Sequence, residues 1–368
     1  MSKVLVVYAG GTILGRRLPS GAILAGRLSA EVRAEIVKRN PAHELAFVQV
    51  VEKLSEDFHP RDWVQIVKAM KSAFDQLNPS GIVLVHGTYT MAYTSAALSF
   101  MVTTCPCPIV VTGAISPLEE DETGHSTISA AIDLAASPGA LKEVVVLFPS
   151  RGDEVQQFTG PVRRSASQTP ESADVLCVYR GTRVRKLHSE RPDCFRSINA
   201  DPLGHFHPSE ISRVLTEPSG SGAPFEIEAN VDDRVGLVKV FPGCTPQTLL
   251  DLGRGNRALV IEGYADGIVP ASDGYDLSDA IRQLKNMGCL TFATSQVFGS
   301  ATLRQYAGGE RLRNAGLTPL GDMTTEAAVT KLMWLLGRSG AQEDIESLMT
   351  TSLRGEISVN SIEGVELA

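Results

Sequence analysis

The stretch Gly81-Ile-Val-Leu-Val-His-Gly-Thr-Tyr-Thr-Met91 places a continuous apolar run directly before a polar turn. Four consecutive Ile, Val and Leu residues predict a strand buried on both faces, as in a parallel sheet. The run Ala92-Tyr-Thr-Ser-Ala-Ala-Leu98, which follows the turn, favours a helix. Because ligands bind beyond the carboxyl ends of strands in open α/β sheets, Thr88 and Tyr89 are candidate site residues.

The start of the chain repeats this arrangement. The apolar run Val4-Leu-Val-Val7 leads into Tyr8-Ala-Gly-Gly-Thr-Ile13, in which a glycine turn is followed by Thr12. Two strand ends that each carry a threonine hydroxyl form a plausible catalytic pair. The alternative for each threonine is a helix N-cap, in which the hydroxyl satisfies free backbone N–H groups.

Strand-like and helix-like patterns alternate along the chain, which predicts a doubly wound parallel sheet. The predicted strands are Val4–Val7, Phe47–Val51, Ile82–Val85, Ile109–Val111, Val144–Phe148, Val175–Val178, Val235–Phe241, Ala258–Ile261 and Leu290–Ala293. The predicted helices are Ala30–Arg39, Pro60–Gln76, Thr90–Met101, Thr127–Ala136, Gln247–Arg254, Ser278–Met287 and Thr324–Leu336.

The length of 368 residues favours two domains. The stretch Glu217-Pro-Ser-Gly-Ser-Gly-Ala-Pro224 has the composition of a linker. We therefore predict an α/β protein with a larger flavodoxin-like parallel-sheet domain over residues 1–215, a linker over 216–232 and a smaller α/β domain over 233–368. The polar segment Pro149–Ala173, which contains Arg163-Arg164, interrupts the alternation of strands and helices.

Composition excludes several classes of function. A net charge of −8 argues against nucleic acid or an anionic membrane as a partner. The start of the chain resembles a first strand more than a signal peptide, and no apolar run reaches the roughly 20 residues of a membrane span, so we expect a cytoplasmic protein. Neither the six cysteines nor His205-Phe-His207 has the spacing of a complete metal site, so no metal and no cofactor are implied.

Six motifs, taken in their order and spacing, are similar to those of the bacterial L-asparaginases, most closely the cytoplasmic type I branch. The resemblance covers nearly the whole chain. Its motifs are Tyr8–Ile13, Val85–Tyr93, Val111-Thr-Gly-Ala-Ile-Ser-Pro-Leu118, Tyr179-Arg-Gly-Thr-Arg-Val-Arg-Lys186, Gly321-Asp-Met-Thr-Thr-Glu-Ala-Ala-Val-Thr-Lys-Leu332 and Leu353-Arg-Gly-Glu356.

The resemblance implies hydrolysis of a small-molecule amide with release of ammonia. Thr12 would be the nucleophile that forms an acyl-enzyme, and Thr88 would orient water or stabilise the tetrahedral oxygen. Lys186 would transfer the proton, since desolvation lowers the pKa of a lysine in a closed pocket. The alternative for Lys186 is an exposed lysine in an arginine-rich run.

Substrate binding by resemblance involves residues of two further turns and of the Thr88 turn itself. Ser55 would hold the α-carboxylate of the substrate, although a capping role is an equal alternative. Gly87 lies in the turn that carries Thr88, and the backbone of Ala114 would position the carboxamide. His86 is expected to be a buried, hydrogen-bonded structural residue.

Two positions depart from the family pattern. Tyr89 stands where the family has an aspartate that pairs with the substrate ammonium and with the lysine, and Ala22 stands near the position of a tyrosine in a mobile loop. Loss of the aspartate removes a charge-assisted hydrogen bond of about 1.5–3 kcal/mol. Three interpretations stay open. The Tyr89 phenol partners Thr12 while Glu56 binds the cation, or the substrate lacks a free α-amino group, or the site is a relic.

The competing functions are an asparaginase-type amidohydrolase, an amidase or acyl-transfer enzyme with another substrate, and a ligand-binding pseudoenzyme or subunit. An asparaginase-like subunit occurs in the archaeal tRNA-dependent amidotransferase, but this acidic chain lacks an obvious extra domain for tRNA. By resemblance we expect a homodimer or homotetramer with sites at subunit interfaces. The segment Gly263-Tyr-Ala-Asp-Gly267 resembles the loop with which, in the family, one subunit reaches across to the active site of its neighbour.

Overall fold

The computed structural model describes residues 1–120, 122–137, 141–150, 175–206, 223–272, 274–338, 342–359 and 361. The chain divides into two compact units, one of Met1–Ser197 with Asp201–Glu228 and the other of Ile198–Ala200 with Ala229–Ala368. Most of the segment Pro149–Ala173, with Arg163-Arg164, lies outside the described residues, and so do His207 and positions 216–222 of the predicted linker. The boundaries 1–215, 216–232 and 233–368 remain predictions.

In the first unit, an α-helix lies between each two successive strands among the first five strands of the main sheet. Its helices are α1 Ala30–Arg39, α2 Pro60–Leu77, α3 Met91–Met101 and α4 Glu122–Ala136. Its first eight strands are β1 Ser2–Ala9, β2 Arg16–Arg17, β3 Ile23–Leu24, β4 His43–Val51, β5 Gly81–His86, β6 Val102–Thr104, β7 Ile109–Thr112 and β8 Val144–Ser150. Five further strands follow, namely β9 Val175–Arg180, β10 Val184–Lys186, β11 Phe195–Ser197, β12 Gly204–Phe206 and β13 Glu226–Ile227.

The main sheet has seven strands in the order β12-β9-β8-β7-β5-β1-β4. The five strands from β8 to β4 are mutually parallel, whereas β9 and β12 add an antiparallel edge. Strands β1 and β5 lie side by side, with Ala9 opposite His86, and β5 pairs with β7, with Val85 opposite Thr112. The three central strands therefore end at one edge of the sheet.

One apolar cluster of this unit lies between the sheet and α4. Side chains of β1 and β5, such as Val4, Val6 and Val83, share one apolar cluster with Ile128 and Ile132 of α4. Central strands with apolar residues on both faces bury both faces against helices, as a parallel sheet requires. Within the described ranges, no helix is long and apolar enough to span a bilayer.

The second unit contains a four-stranded parallel sheet in the order β14-β15-β16-β17. Its strands are β14 Val235–Lys239, β15 Ala258–Gly263, β16 Leu290–Ser295 and β17 Leu317–Pro319. Its helices are α5 Pro246–Gly253, α6 Ser278–Asn286, α7 Ala307–Ala315, α8 Thr325–Gly337 and α9 Gln342–Thr350. The predicted α/β class, with a large and mainly parallel sheet and a smaller second sheet, is confirmed.

One predicted helix boundary was wrong. Helix α4 begins at Glu122, five residues before the predicted Thr127. Its first turn contains Glu122, Thr123, Gly124 and His125, which show no apolar periodicity, so the pattern concealed it. Arg39 of α1 binds the Glu122 carboxylate there, with Nη2 at 3.3 Å from Oε2.

A buried ion pair fixes α8 in the second unit. The side chains of Lys331 and Glu356 are both 0% exposed, and Lys331 Nζ lies 2.6 Å from Glu356 Oε1. The amine also donates to the carbonyl of Thr351 at 2.6 Å, and the carboxylate accepts the backbone N–H groups of Leu353 and Arg354. Each charge is therefore hydrogen-bonded on several sides, as burial demands.

Removal of one partner of this pair should destabilise the protein. Glu356→Gln leaves the Lys331 charge buried without its counter-charge, and we expect it to lower the free energy of unfolding by about 3–5 kcal/mol. Lys331→Met should cost a similar amount, and the double variant should lose less than the sum. Urea denaturation measures the effect. Lys71→Met, which breaks the exposed pair with Asp75, is the control and should cost under about 1 kcal/mol. Equal losses in the two single variants and the control would contradict this account.

Candidate active site

Three turns emerge side by side from the carboxyl ends of β1, β5 and β7. They begin at Gly10, Gly87 and Gly113, because the register aligns Ala9 with His86 and Val85 with Thr112. The first turn continues into a 3-10 turn over Thr12–Leu14. The sheet thus brings the two predicted threonine segments to one edge.

Close backbone contact joins the first two turns. Gly11 has a φ of 91°, and a Cβ placed on it would lie 2.5 Å from the Gly87 Cα atom. A Cβ on Gly87 would in turn lie 2.5 Å from the Ser55 Oγ atom. Any side chain at these glycines would push the turns apart, so the glycines are a steric requirement of the site.

Lys186 and Thr88 form the central contact of the site. Lys186 is the last residue of β10, which pairs with β11 as a short antiparallel ribbon. Its Nζ atom donates to the Thr88 Oγ1 atom at 2.7 Å, and Thr88 is 5% exposed. Residues 98 positions apart in the chain therefore form one amine–hydroxyl pair.

Burial lowers the pKa of Lys186 below its ordinary value, because desolvation penalises the ammonium form. The neighbouring Cys194 contributes a smaller, opposing effect. Burial raises the pKa of the Cys194 thiol to about 12, so the thiol is neutral near pH 7. In the described part of the chain, no carboxylate lies within ion-pair distance of Lys186. The burial of Lys186 and the lack of a nearby described carboxylate both favour the neutral form of its amine.

Tyr89 lies against Lys186 with the face of its ring. The Lys186 Nζ atom is 4.6 Å from the ring centroid, which is a cation–π distance. The Tyr89 side chain is 62% exposed. The aromatic ring attracts an ammonium group but supplies no negative charge to neutralise it. Among the described residues, Tyr89 and Thr12 form no hydrogen bond with each other.

Ser55 joins the segment after β4 to the Thr88 turn. Its Oγ atom accepts the Tyr89 N–H at 3.3 Å, and its carbonyl accepts the Thr90 hydroxyl at 2.8 Å. Ser55 is buried, whereas Glu56, the next residue of the same 3-10 turn, is exposed. Ser55 therefore has the geometry of a turn-capping residue, and its hydroxyl also faces the Gly87 turn.

The remaining predicted residues lie along the same sheet edge or beside it. Thr12 is partly buried, and among the described residues none hydrogen-bonds to its hydroxyl. Ala114 is buried and lines a small open depression with Thr127 and Phe148. Ala22 is exposed at the turn of the β2–β3 hairpin.

The sequence reasoning missed an ion pair that supports the first glycine turn. Lys53 Nζ lies 2.7 Å from the buried carboxylate of Asp62, which also accepts the backbone N–H of His59. The Lys53 carbonyl accepts the N–H of Gly11 at 3.0 Å. An Asp two residues after Pro60, in the first turn of a predicted helix, was the available signal, since acidic residues stabilise helix starts.

His86 is buried and hydrogen-bonded at both ring nitrogens. Its Nδ1 atom lies 2.6 Å from the Gly87 carbonyl, and its Nε2 atom lies 2.9 Å from Thr94 Oγ1. Burial lowers its pKa to about 4, so the ring is neutral near pH 7. It reaches no exposed part of the site and cannot act as a base toward a substrate.

A hydroxyl within hydrogen-bond reach of a lysine amine, at the carboxyl edge of a parallel sheet, is an arrangement that can serve nucleophilic catalysis. Across the described residues, no group of three or more His, Cys, Asp and Glu side chains is placed to hold a metal ion. The family model described as "Asparaginase, N-terminal" matches residues 3–218, and "Glutaminase/Asparaginase C-terminal domain" matches residues 234–349. The chain belongs to the asparaginase family.

Individual relatives support this assignment. The L-asparaginase of Thermococcus kodakarensis is 31% identical over 96% of this chain and 99% of its own length. A subunit of the glutamyl-tRNA(Gln) amidotransferase of Metallosphaera sedula is 30% identical over 96% of this chain and 76% of its own length. Both relatives are archaeal, so a bacterial type I branch stays a prediction for this chain.

Solved structures agree in fold. The thermostable L-asparaginase from Thermococcus kodakarensis superposes with a TM-score of 0.81 over 97% of this chain and 99% of that chain, at 31% identity. L-asparaginase I from Vibrio cholerae gives a TM-score of 0.76 over 97% of this chain and 99% of that chain. At 23% identity the second likeness concerns the fold alone.

Substitution of Lys186 should abolish catalysis and leave the fold intact. Lys186→Met keeps the apolar stem but removes the amine, and we expect the rate on any true substrate to fall at least about 10²-fold. In the wild type, activity should fall as the pH falls, because protonation of Lys186 removes the base. Since burial lowers the lysine pKa, this loss should occur below the roughly pH 10.4 of an ordinary lysine. Steady-state kinetics against pH provide the measurement. Lys68→Met, at an exposed position of α2, is the control, and a fully active Lys186→Met enzyme would show that another group is the base.

Proposed function

We propose that this protein is an asparaginase-type amidohydrolase that cleaves a side-chain carboxamide, of L-asparagine or a related amide, to carboxylate and ammonia. The reaction would pass through an acyl-enzyme on Thr12. The observation that carries the proposal is the 2.7 Å contact between Lys186 and Thr88, one strand away from the turn that presents Thr12. No cofactor is required, since water is the second substrate.

The chemistry divides into two steps. In the first, the Thr12 hydroxyl attacks the amide carbon, the C–N bond breaks, and the leaving nitrogen takes a proton to depart as ammonia. In the second, water attacks the resulting ester, the Thr12 oxygen regains its proton, and the carboxylate leaves. Thr88 is within reach of Lys186 and would relay the proton between the reacting oxygen and the amine.

The other proposed roles follow the edge of the sheet. Ser55 and Glu56 lie beyond β4, and Gly87 and Ala114 lie beyond β5 and β7, so a small amide would be bound between these turns. Glu56 supplies an exposed carboxylate on one side. The Ala114 backbone would position the carboxamide on the other.

Tyr89 favours a related amide over L-asparagine itself. The phenol carries no charge to pair with a substrate ammonium, and its ring already covers the Lys186 amine. A substrate that lacks a free α-ammonium group, such as an N-acylated or des-amino amide, avoids burying that cation without a carboxylate partner. This is the second candidate function, an amidase or acyl-transfer enzyme with altered specificity.

Incubation with L-asparagine, L-glutamine and N-acyl or des-amino amides should release ammonia from at least one compound. Mass spectrometry after a rapid acid quench should show the acyl group on the peptide that contains Thr12. Thr12→Ala should lose both signals, because no other hydroxyl would accept the acyl group. An adduct on Thr88 would instead identify that residue as the nucleophile. Ligand-induced thermal stabilisation without turnover of any amide would indicate a binding relic and refute the proposal.

Tyr89→Asp tests the specificity directly. An aspartate beside Lys186 favours the ammonium form and raises the lysine pKa, so the acid limb of the pH profile should move to higher pH. We expect activity on L-asparagine to rise and activity on amides without an ammonium group to fall. Tyr89→Phe, which keeps the ring, is the matched control and should retain the wild-type preference. Efficient hydrolysis of L-asparagine by the wild type would contradict the altered specificity.

We also propose a homodimer or homotetramer with sites at subunit interfaces. The proposal rests on the family resemblance and on the large exposure of Tyr89 in the isolated chain. Light scattering at micromolar concentration should give at least twice the mass of 39.4 kDa. A stable monomer with full amidase activity would refute it. Full activity of the purified protein without other subunits would also show that it does not need partner proteins in the way a subunit of a larger amidotransferase would.

A further inference from the structure

A chain of buried hydrogen bonds connects α2 and α3 to the turn that carries Thr88. The Trp63 Nε1–H group of α2 donates to the Thr94 hydroxyl of α3 at 3.1 Å. Thr94 Oγ1 lies 2.9 Å from His86 Nε2, and His86 Nδ1 lies 2.6 Å from the Gly87 carbonyl oxygen. Thr94 and His86 are both 0% exposed and Trp63 is 6% exposed, so water does not compete for these bonds.

The donor and acceptor of every hydrogen bond in this series are determined by its first and last groups, the Trp63 indole and the Gly87 carbonyl. The Gly87 carbonyl can only accept, so His86 Nδ1 carries a proton. Because the ring is neutral, its Nε2 atom is then an acceptor, and the Thr94 hydroxyl must donate to it. The remaining lone pair of Thr94 accepts the indole N–H, which can only donate. One imidazole tautomer satisfies all four groups, and the partners select it.

This series of hydrogen bonds ends at the peptide group that precedes Thr88. The carbonyl of Gly87 and the nitrogen of Thr88 belong to one planar peptide, so a bond that orients the Gly87 carbonyl also orients the start of Thr88. Gly87 lies against Gly11 and Ser55 on its other sides. The backbone of the Thr88 turn is thus held by two buried side chains, with His86 bound to the Gly87 carbonyl and Ser55 bound to the Tyr89 N–H.

We propose that His86, fixed in its Nδ1–H tautomer by Thr94 and Trp63, is a positioning residue that keeps the Thr88 hydroxyl within reach of Lys186. His86 contacts neither the proposed substrate nor the reacting atoms, and it acts through the Gly87–Thr88 peptide. Trp63 and Thr94 lie on α2 and α3, so the packing of both helices contributes to the geometry of the amine–hydroxyl pair.

An apolar residue at position 86 would fill the same space without orienting the peptide. The His86 ring already packs against the Phe58 ring in a T-shaped arrangement, with centroids 4.5 Å apart, so a purely structural role would need no ring nitrogens. Asp62 is the charged group that acts on His86, and it is paired with Lys53. The imidazole therefore stays neutral, and its hydrogen bonds persist, over the pH range in which a lysine base operates.

Thr94→Val tests the proposal without touching the site. The change preserves the shape of the side chain, removes the donor to His86 Nε2 and leaves the indole N–H without its acceptor. Long-range ¹H–¹⁵N spectra should show the Nδ1–H tautomer for His86 in the wild type and a mixture of tautomers in the variant. With an amide that the wild type hydrolyses, kcat should fall on the order of 10–100-fold while KM changes little, because the catalytic pair is displaced rather than the binding turns.

A second measurement does not require a substrate. NMR titration of the Lys186 ε-methylene should give a lower lysine pKa in Thr94→Val, because the displaced Thr88 hydroxyl no longer accepts from the ammonium form. The kcat measurement rests on the proposed amide hydrolysis, whereas the NMR measurements of the His86 tautomer and of the Lys186 pKa do not. A failure to find any substrate would therefore count against the function, while the NMR results decide the role of His86.

Thr330→Val is the matched control, since it removes a 1% exposed hydroxyl of α8 that donates to its own helix. It should leave kcat, the His86 tautomer and the Lys186 pKa unchanged. Three results would overturn the proposal: an Nε2–H tautomer in the wild type, an altered tautomer with the Lys186 titration and kcat both unchanged, or equal losses of kcat in Thr94→Val and Thr330→Val.

Discussion

The contact between Gly11 and Gly87 is the constraint on which the site depends. Parallel pairing brings Ala9 opposite His86, and the two glycine turns that follow then approach so closely that a Cβ on either would overlap its neighbours. This approach places the threonine segments beside each other. The side chains of Ser55 and His86 hold the second turn, and the backbone carbonyl of Lys53 holds the first.

The electrostatics of the site follow from where Lys186 is placed. A short antiparallel ribbon carries the amine to Thr88, partly out of water and next to a neutral thiol and an aromatic ring. In that setting desolvation favours the neutral amine, which is the form that accepts a proton. The family assignment and the geometry thus agree on an amide-hydrolysing type of site, while Tyr89 sets this chain apart from a site built around a carboxylate–lysine pair.

Much of the fold was predictable from the sequence, because its signals are local. The central strands are runs of Ile, Val and Leu, and helix α1 begins and ends at the predicted residues. Helix α8 begins at Thr325, one residue after its predicted start, and the Thr324 hydroxyl accepts the Ala327 N–H as an N-cap. The short strands β10 and β11 and helix α7 were not predicted. Elements of three residues carry too little periodicity, and α7 contains two glycines that weaken a helical pattern.

The sequence by itself determined the chemistry that is available: two threonines after glycine turns, a lysine in an arginine-rich run and a tyrosine in place of an acid. Motif order also determined the family. Only the tertiary structure decided which of these groups meet, that Lys186 contacts Thr88, that Tyr89 lies on the amine, and that Trp63, Thr94 and His86 form one directed chain. The physical reason is that such contacts join residues far apart in the chain, and burial, which sets the pKa of Lys186 and of His86, is a property of the packed molecule alone.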